Sequence, residues 1–248
     1  MTIFLTSSPT LGWAGDLNPS NGFLSTLRAA LPRPIKCLMV SSYPDDVEIT
    51  DRMAWELREC FERANLAFDH FEVLDRRTFR SAHWMIKRAN FIILCGGHVP
   101  TENKFFSELK LKEKIQDFEG VLLGISAGSM NCADIVYASP ELPGESIDPD
   151  YKIFLRGLGL TDVNILPHFQ NLKDAKLDGR RLIEDIVYEH SLGNPILCLP
   201  DGSYLYITPK HTEVRGLAYR IRNGKVRTVC YDNERKYVVK NCNVLQIR

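Results

Sequence analysis

Short apolar runs alternate with amphipathic segments along the first half of the chain. Apolar residues spaced three and four apart near 20–31, 45–64 and 78–89 are typical of helices that bury one face. The runs of strand length between these segments are "TIFLT" (2–6), "IKCLMVS" (35–41), "FDHFEVL" (68–74), "FIILC" (91–95) and "GVLLGI" (120–125). Because "GVLLGI" is apolar throughout, it suits a strand covered on both faces. The pattern predicts an α/β fold with a mostly parallel sheet flanked by helices.

The pattern changes in the last part of the chain, where strands follow one another without helices. These strands are "YLYIT" (204–208), "VRGLAYRI" (214–221), "KVRTVCY" (225–231) and "KYVVK" (236–240). Asn223 and Gly224 give a hairpin signal between two of them. We expect a C-terminal antiparallel β meander on one edge of the sheet. The Pro- and Gly-rich segment 139–159 predicts a long surface loop of the kind that often borders a site.

Length and composition limit the class of protein. The length of 248 residues favours a single α/β domain over 1–248. The 31 basic and 31 acidic side chains balance, which argues against a nucleic-acid partner. No stretch approaches the roughly 20 apolar residues of a membrane span, so we expect a cytoplasmic protein that does not bind membranes. The seven cysteines are odd in number and lack a CxxC pair, which predicts reduced core thiols.

Gly124, Ser126 and Gly128 form a GxSxG pattern between the strand "GVLLGI" and the segment "AGSMNCADIVYA", which we expect to be a helix. In such a turn the serine hydroxyl stands above the sheet, and nearby helix N–H groups favour developing negative charge. On the pattern alone, a tight turn or a phosphate-binding loop is an equal alternative.

A nucleophilic serine needs a base and an acid. His168 follows the apolar stretch "VNILPHF", and Asp201 follows "ILCLP", so both are expected at strand ends, where ligands collect in α/β sheets. Taken alone, Asp201 before Gly202 would favour a simple turn, and a lone histidine a structural role. Ser126, His168 and Asp201 in this order favour a catalytic triad over these separate interpretations.

Four segments together resemble peptidase family S51, the family of peptidase E and cyanophycinase. They are "ILCGGH" (93–98), "GISAGS" (124–129), "LPHFQN" (166–171) and "LPDGSYL" (199–205). The resemblance implies a class I glutamine-amidotransferase-like fold, no metal or cofactor, and cleavage of small peptides after an N-terminal aspartate. It makes Ser126 the nucleophile, His168 the general base and Asp201 the third member, where peptidase E has glutamate.

The resemblance also implies residues around the triad. The backbone N–H groups of Gly97 and Ala127 would form the oxyanion hole. Arg180 and Arg181 fall where the family has arginines after "PHF", so they are candidates for the substrate carboxylate, with a solvated helix start as the alternative. His98 stands where relatives carry a polar residue and would line the pocket.

The sequence leaves other functions open. An esterase of the α/β-hydrolase type would use the order serine, acid, histidine, which would require His211 as the base. A ligand-binding member of the fold without turnover is a second alternative. An amidotransferase is disfavoured because serine, not cysteine, occupies the turn. We expect a serine exopeptidase that acts as a monomer or homodimer.

Overall fold

The computed structural model describes residues 1–12, 15–239 and 242–246. The strands are β1 Thr2–Thr6, β2 Lys36–Val40, β3 His70–Leu74, β4 Phe91–Leu94, β5 Val121–Ile125, β6 Ile135–Tyr137, β7 Phe154–Arg156, β8 Asn164–Leu166, β9 Lys176–Leu177, β10 Arg180–Arg181, β11 Ile196–Cys198, β12 Tyr204–Ile207, β13 Thr212–Arg215, β14 Ala218–Arg222, β15 Lys225–Cys230, β16 Arg235–Val239 and β17 Asn243–Gln246. The α-helices are α1 Phe23–Ala30, α2 Val47–Arg63, α3 Ala82–Arg88, α4 Val99–Leu109, α5 Leu111–Lys114, α6 Ala127–Met130, α7 Phe169–Leu172 and α8 Tyr188–His190. Short 3-10 turns cover Ser20–Gly22 and Phe79–Ser81, and a π-helical turn covers Leu182–Val187.

Within the described residues, the main sheet has nine strands in the order β17-β16-β13-β12-β1-β5-β4-β2-β3. The five strands from β1 to β3 run parallel, and β12 begins the antiparallel part beside β1. Alternate residues of β4 point to opposite faces: Ile92 and Leu94 pack with α3 and α4, whereas Phe91 and Ile93 pack with α1 and α2. The predicted mostly parallel sheet flanked by helices is confirmed.

A second sheet carries two of the strands that lead to the predicted site. Its order is β15-β14-β11-β8, and β8 and β11 are parallel neighbours. The C-terminal tail is antiparallel as expected, but its strands are divided between both sheets. The run "VRGLAYRI" is interrupted at Gly216, whose φ of 88° takes the chain from β13 in the main sheet to β14 in the second.

Two local predictions in the tail have different outcomes. The hairpin at Asn223 and Gly224 is confirmed, since β14 and β15 pair around it and both residues have positive φ. The last residue of the expected final strand, Lys240, lies outside the described residues.

The segment after Ser126 differs from the prediction. The expected helix over "AGSMNCADIVYA" ends after one turn at Met130, and the β-branched residues that follow form β6. The N–H group of Leu158 donates to the carbonyl of Asn131, which draws the chain toward β7. The predicted loop 139–159 therefore contains a short strand, Phe154–Arg156.

The seven cysteines are free and buried. Among the described residues, no helix is both long enough and apolar enough to cross a membrane.

The start of α2 depends on a side-chain cap. Asp46 has extended backbone geometry, and its carboxylate accepts the N–H hydrogen of Ile49 at 2.9 Å. Such a bond satisfies one of the N–H groups that a helix start leaves without an intrahelical partner.

We predict that Asp46→Ala lowers the free energy of unfolding by about 0.5–2 kcal/mol, because the cap is lost. Asp46→Ser keeps a capping oxygen and should retain most of the stability. Denaturant unfolding of the three proteins measures the effect. Equal losses in both variants would show that the cap is not the cause.

Candidate active site

Ser126 lies at the turn between β5 and α6. Its φ of 50° and ψ of −112° are unusual for a residue with a side chain and cost about 1–3 kcal/mol. The turn packs closely on β4: a Cβ at Gly128 would lie 2.4 Å from the carbonyl oxygen of Leu94, so glycine is needed there. The backbone therefore has the strained geometry of a strand–nucleophile–helix turn, although the helix is short.

His168 and Asp201 approach Ser126 from the second sheet. They follow β8 and β11, whose parallel pairing brings both chain segments to one edge. His168 Nε2 lies 2.9 Å from Ser126 Oγ, and His168 Nδ1 lies 2.8 Å from Asp201 Oδ1. The side chains of His168 and Asp201 are each 36% exposed, so the hydrogen-bonded row is accessible to a ligand. The structure thus brings the three predicted residues together in the predicted order.

Ser7, which follows β1, connects this row to the main sheet. Its hydroxyl donates to Asp201 Oδ1 at 2.6 Å and accepts the N–H hydrogen of His168 at 2.7 Å. Ser7 is fully buried. In the parallel register Thr6 pairs with Ile125, so Ser7 and Ser126 are the next residues on adjacent strands. One hydroxyl therefore fixes both His168 and Asp201 relative to the serine.

Gln170 holds the other oxygen of Asp201. Its amide donates to Asp201 Oδ2 at 2.7 Å, and its carbonyl oxygen accepts the N–H hydrogen of Asp201 at 3.1 Å. Partial burial works to raise the pKa of Asp201, but the hydrogen bonds from His168, Ser7 and Gln170 outweigh it and the pKa is lowered. Asp201 is thus an ionised acceptor, which requires His168 Nδ1 to carry the hydrogen.

Gly97 and Ala127, whose N–H groups are the predicted oxyanion donors, lie on neighbouring segments beside Ser126. Gly97 follows β4, the parallel neighbour of β5, and lines the cavity beside Ser126. Ala127 is the first residue of α6 and is buried. Within the described residues, neither N–H group donates to another part of the chain. Both are therefore available to an oxygen atom near Ser126.

A cavity of about 180 Å³ opens beside Ser126 and His168. It is smaller than the roughly 300–1,000 Å³ clefts that take drug-sized ligands, so it suits a single small side chain. Its apolar walls are formed by Val99, Met130, Leu166, Leu172, Leu177 and Leu182. Its charged lining residues, besides His168, are Glu141 and Lys176.

Arg180 and Arg181 do not line this cavity. Arg180 donates to the carbonyl oxygens of Ser146 and Asp185, and Arg181 forms a salt bridge with Asp185 at 2.6 Å. The hairpin of β9 and β10 that carries them does reach the cavity, but with Lys176 and Leu177. The substrate-binding role expected of the two arginines stays a prediction.

His98 lies beside the cavity and not in its lining. It contacts Thr101 Oγ1 at 2.8 Å and Glu145 Oε1 at 2.7 Å. Glu145 in turn accepts the N–H hydrogens of Glu141 and Leu142 with its second oxygen. His98 therefore holds the predicted loop that carries Glu141, and its expected place in the pocket stays a prediction.

The same loop is held from its other side by Asp178. The carboxylate of Asp178 accepts hydrogens from the N–H groups of Gly144 and Ser146 and from the hydroxyl of Ser146. These bonds lower the pKa of Asp178. The segment that forms one wall of the cavity is thus anchored at two points.

Sequence reasoning missed Ser7, Gln170, Glu141 and Lys176. Two of them carried a usable signal: Ser7 directly follows the apolar run "TIFLT", and Gln170 lies two residues after His168 in "LPHFQN". Across residues 1–12, 15–239 and 242–246, no group of three or more His, Cys, Asp and Glu side chains is arranged to hold a metal ion.

We predict that Ser7→Ala slows covalent labelling of Ser126 by a fluorophosphonate about 10- to 100-fold, because small displacements of a reacting group cost that much. Labelling is followed by mass spectrometry, with near-ultraviolet circular dichroism to check folding. Ser8→Ala is the matched control, since among the described residues the Ser8 hydroxyl bonds only to nearby Thr10. An unchanged rate in Ser7→Ala would show that the hydroxyl does not position His168.

Known proteins resemble this chain in sequence pattern and in fold. The model of peptidase family S51 matches residues 45–215, which include all four motifs that carried the resemblance. A crystal structure of a protein from Listeria monocytogenes EGD-e assigned as a peptidase E is similar, with a TM-score of 0.58 at 16% identity over 86% of this chain and 97% of that chain. At this identity the likeness shows the fold. No curated protein sequence matches. Since the family model covers more than half of the chain, the chain belongs to peptidase family S51.

Proposed function

We propose that the protein is a serine exopeptidase that hydrolyses the peptide bond after an N-terminal residue. The observation that carries the proposal is the hydrogen-bonded row from Ser126 through His168 to Asp201, with distances of 2.9 and 2.8 Å. This is the arrangement that a nucleophile, a general base and an orienting carboxylate require. Membership of a peptidase family supports peptide hydrolysis as the reaction.

In the first half of the reaction, Ser126 Oγ attacks the carbonyl carbon and its proton passes to His168 Nε2. The oxyanion that forms accepts hydrogen bonds from the N–H groups of Gly97 and Ala127. Asp201 keeps Nδ1–H of His168 in place and stabilises the imidazolium. The C–N bond then breaks, His168 gives its proton to the leaving amine, and an acyl-enzyme remains.

In the second half, water replaces the amine. His168 takes a proton from the water as its oxygen attacks the acyl carbon, and the oxyanion forms again between the same two N–H groups. When the ester bond breaks, the proton returns from His168 to Ser126 Oγ. The products are the freed N-terminal residue and the shortened peptide, and the enzyme regains its starting state.

Glu141 is our candidate for binding the free amino terminus. It lines the cavity although the residue as a whole is exposed, and partial desolvation raises the pKa of its carboxyl group, while the neighbouring His98 and the N–H group of Val99 act in the opposite direction. A substrate ammonium beside the carboxylate would replace the lost hydration and favour the charged form. Recognition of this ammonium would restrict cleavage to the first peptide bond.

Lys176 is our candidate for binding an acidic first side chain. It lines the cavity and, within the described part of the chain, forms no ion pair. Arg180 and Arg181, which the family resemblance implies for this role, would first have to leave Ser146 and Asp185. A preference for N-terminal aspartate therefore rests on Lys176 in this proposal.

Specific observations argue against the esterase and against the ligand-binding protein without turnover. His211, the base that an α/β-hydrolase order would need, bonds to Glu213 at 3.1 Å, whereas His168 occupies the position beside Ser126. A ligand-binding protein without turnover would not need the strained backbone of Ser126, which supports a reactive role.

We predict that the wild type cleaves Asp-Leu and aspartyl p-nitroanilide and that Ser126→Ala abolishes this activity. His168→Ala should lose at least about a thousandfold in kcat/KM, and His211→Ala should stay close to the wild type. Assays with other aminoacyl p-nitroanilides and a p-nitrophenyl ester define the specificity. Full activity of His168→Ala would overturn the triad, and cleavage of the ester alone would favour the esterase.

We predict that Glu141→Gln and Lys176→Met separate two kinds of recognition. Glu141→Gln should lose about 10- to 100-fold in kcat/KM on free amino termini, because one charged hydrogen bond is removed. Lys176→Met should weaken aspartyl substrates by a similar factor and leave leucyl or alanyl substrates unchanged.

Arg181→Met is the matched control for Lys176→Met, because it removes a cation from the same hairpin. If Arg181→Met gives the aspartyl-specific loss and Lys176→Met does not, the arginine implied by the family resemblance is the binding residue. Wild-type kcat/KM of Glu141→Gln on substrates with a free amino terminus, with N-acetylated substrates discriminated against as strongly as by the wild type, would overturn the role of Glu141.

A further inference from the structure

A carboxyl group lies fully buried next to the segments that carry the two proposed oxyanion donors. Glu102 is in the first turn of α4, five residues after Gly97, and has no solvent exposure. Its N–H group donates to the carbonyl of His98, which closes the first turn of the helix. Burying a carboxyl group costs free energy unless the group is paired or neutral, so the burial of Glu102 needs a physical explanation.

The partner of Glu102 is Asn131, at the end of α6. Asn131 is also fully buried, and its amide donates to Glu102 Oε2 at 3.1 Å and to the carbonyl of Val99 at 3.2 Å. The amide oxygen of Asn131 accepts a hydrogen from Asn103 at 2.9 Å. The carboxamide of Asn131 is thus held between the backbone and side chains of α4.

The backbone of Asn131 connects this hydrogen-bond network to the helix that follows Ser126. Its N–H group donates to the carbonyl of Ala127 at 2.9 Å. Val99, whose carbonyl binds the same side chain, is two residues after Gly97. The Glu102–Asn131 pair therefore connects the segment that carries the Gly97 N–H group with the segment that carries the Ala127 N–H group.

We propose that Glu102 is a positioning residue which, through Asn131, fixes the spacing of the Gly97 and Ala127 N–H groups. This inference rests on the proposed function, in which both groups bind the oxyanion. Donors of this kind must already lie near 3 Å from the position where the charge develops. A buried network with few alternative arrangements provides that rigidity, which an exposed turn would lack.

Glu102 does this as a neutral acid. Burial raises its pKa well above the ordinary value, and the hydrogen bond from Asn131 opposes this only in part. Among the described residues, the titratable groups beside it are the thiols of Cys95 and Cys132, whose pKa values burial also raises. No cation in this part of the chain stabilises a carboxylate at Glu102. Among the described residues Oε1 has no hydrogen-bond partner, which a neutral carboxyl tolerates better than an anion.

The first test separates positioning from simple stability. Glu102→Gln keeps the shape and an acceptor for Asn131, so its kcat should stay within about threefold of the wild type. Glu102→Ala and Asn131→Ala should each lower kcat about 10- to 100-fold with KM changed less than about threefold, because substrate contacts are intact. The double variant Glu102→Ala, Asn131→Ala should be no worse than either single variant, since one connection is removed twice. Glu113→Ala, an exposed acid on α5, is the control.

A second test uses the protonation state. The raised pKa makes the folded protein bind one more proton than the unfolded chain above about pH 4.3, so Glu102 lowers stability progressively as pH rises toward its folded pKa. Glu102→Gln should remove this term, and its free energy of unfolding relative to the wild type should increase with pH over that window. An infrared carbonyl band of a protonated acid, present in the wild type within that pH window and absent in Glu102→Gln, is the direct signature.

The outcomes separate this inference from the proposed function. If Glu102→Ala folds and keeps wild-type kcat, the positioning role is overturned. If Glu102→Ala does not fold, Asn131→Ala takes its place, and wild-type kcat in that variant overturns the positioning role as well. A loss of kcat in Glu102→Gln as large as 10-fold overturns the neutral state of Glu102. If the wild type cleaves no peptide but Ser126 reacts with a fluorophosphonate, the proposed function fails, and labelling rates of the same variants test the positioning. No labelling of the wild type overturns both.

Discussion

The buried hydroxyl of Ser7 is the connection on which the geometry of the site depends. Ser126 belongs to the main sheet, whereas His168 and Asp201 belong to the second. The parallel register of β1 and β5 places Ser7 beside Ser126, and the N–H group of Ser126 donates to the carbonyl of Thr6. Because the Ser7 hydroxyl also binds the backbone of His168 and the carboxylate of Asp201, it sets the two sheets at a spacing that suits hydrogen bonding. A longer or apolar side chain there would leave buried polar groups without partners.

The features that follow from local pattern could be predicted from the sequence. The apolar runs of β1, β2, β4 and β5 are largely buried on both faces, whereas the edge strand β3 is only partly buried. The composition of these four runs alone indicates a covered parallel sheet. Ser126, His168 and Asp201 could be found because each follows an apolar strand, and the carboxyl ends of parallel strands collect at a common edge. The sequence also predicted α2 closely, since its apolar stripe recurs with helical spacing.

The features that depend on distant contacts could not be predicted in the same way. Local alternation is the same for a strand of either sheet. Nothing within "VRGLAYRI" marks the change of sheet except Gly216, and a glycine inside a strand pattern equally indicates a bulge. The helix α4 was missed because its start, "VPTENK", is polar and follows a glycine pair. Arg180 and Arg181 have the charge that an acidic substrate needs, but Asp185 lies one turn away and binds Arg181. The pairing of β9 with β10 decides which cation lines the cavity. Each of these strands has only two residues, so their pairing has a weak signal in the sequence.

The segment 139–159 is held in place by His98 and Asp178, and this limits which substrates can reach Ser126. A peptidase that cuts within chains needs an open channel, so that polypeptide can continue on both sides of the reacting serine. Here the segment that carries Glu141 is hydrogen-bonded on two sides, and the cavity that it borders has room for about one side chain. Under the proposed function a substrate enters by its end. The interior of a folded protein's chain cannot enter such a site, so the shape of the cavity by itself excludes cleavage within folded domains.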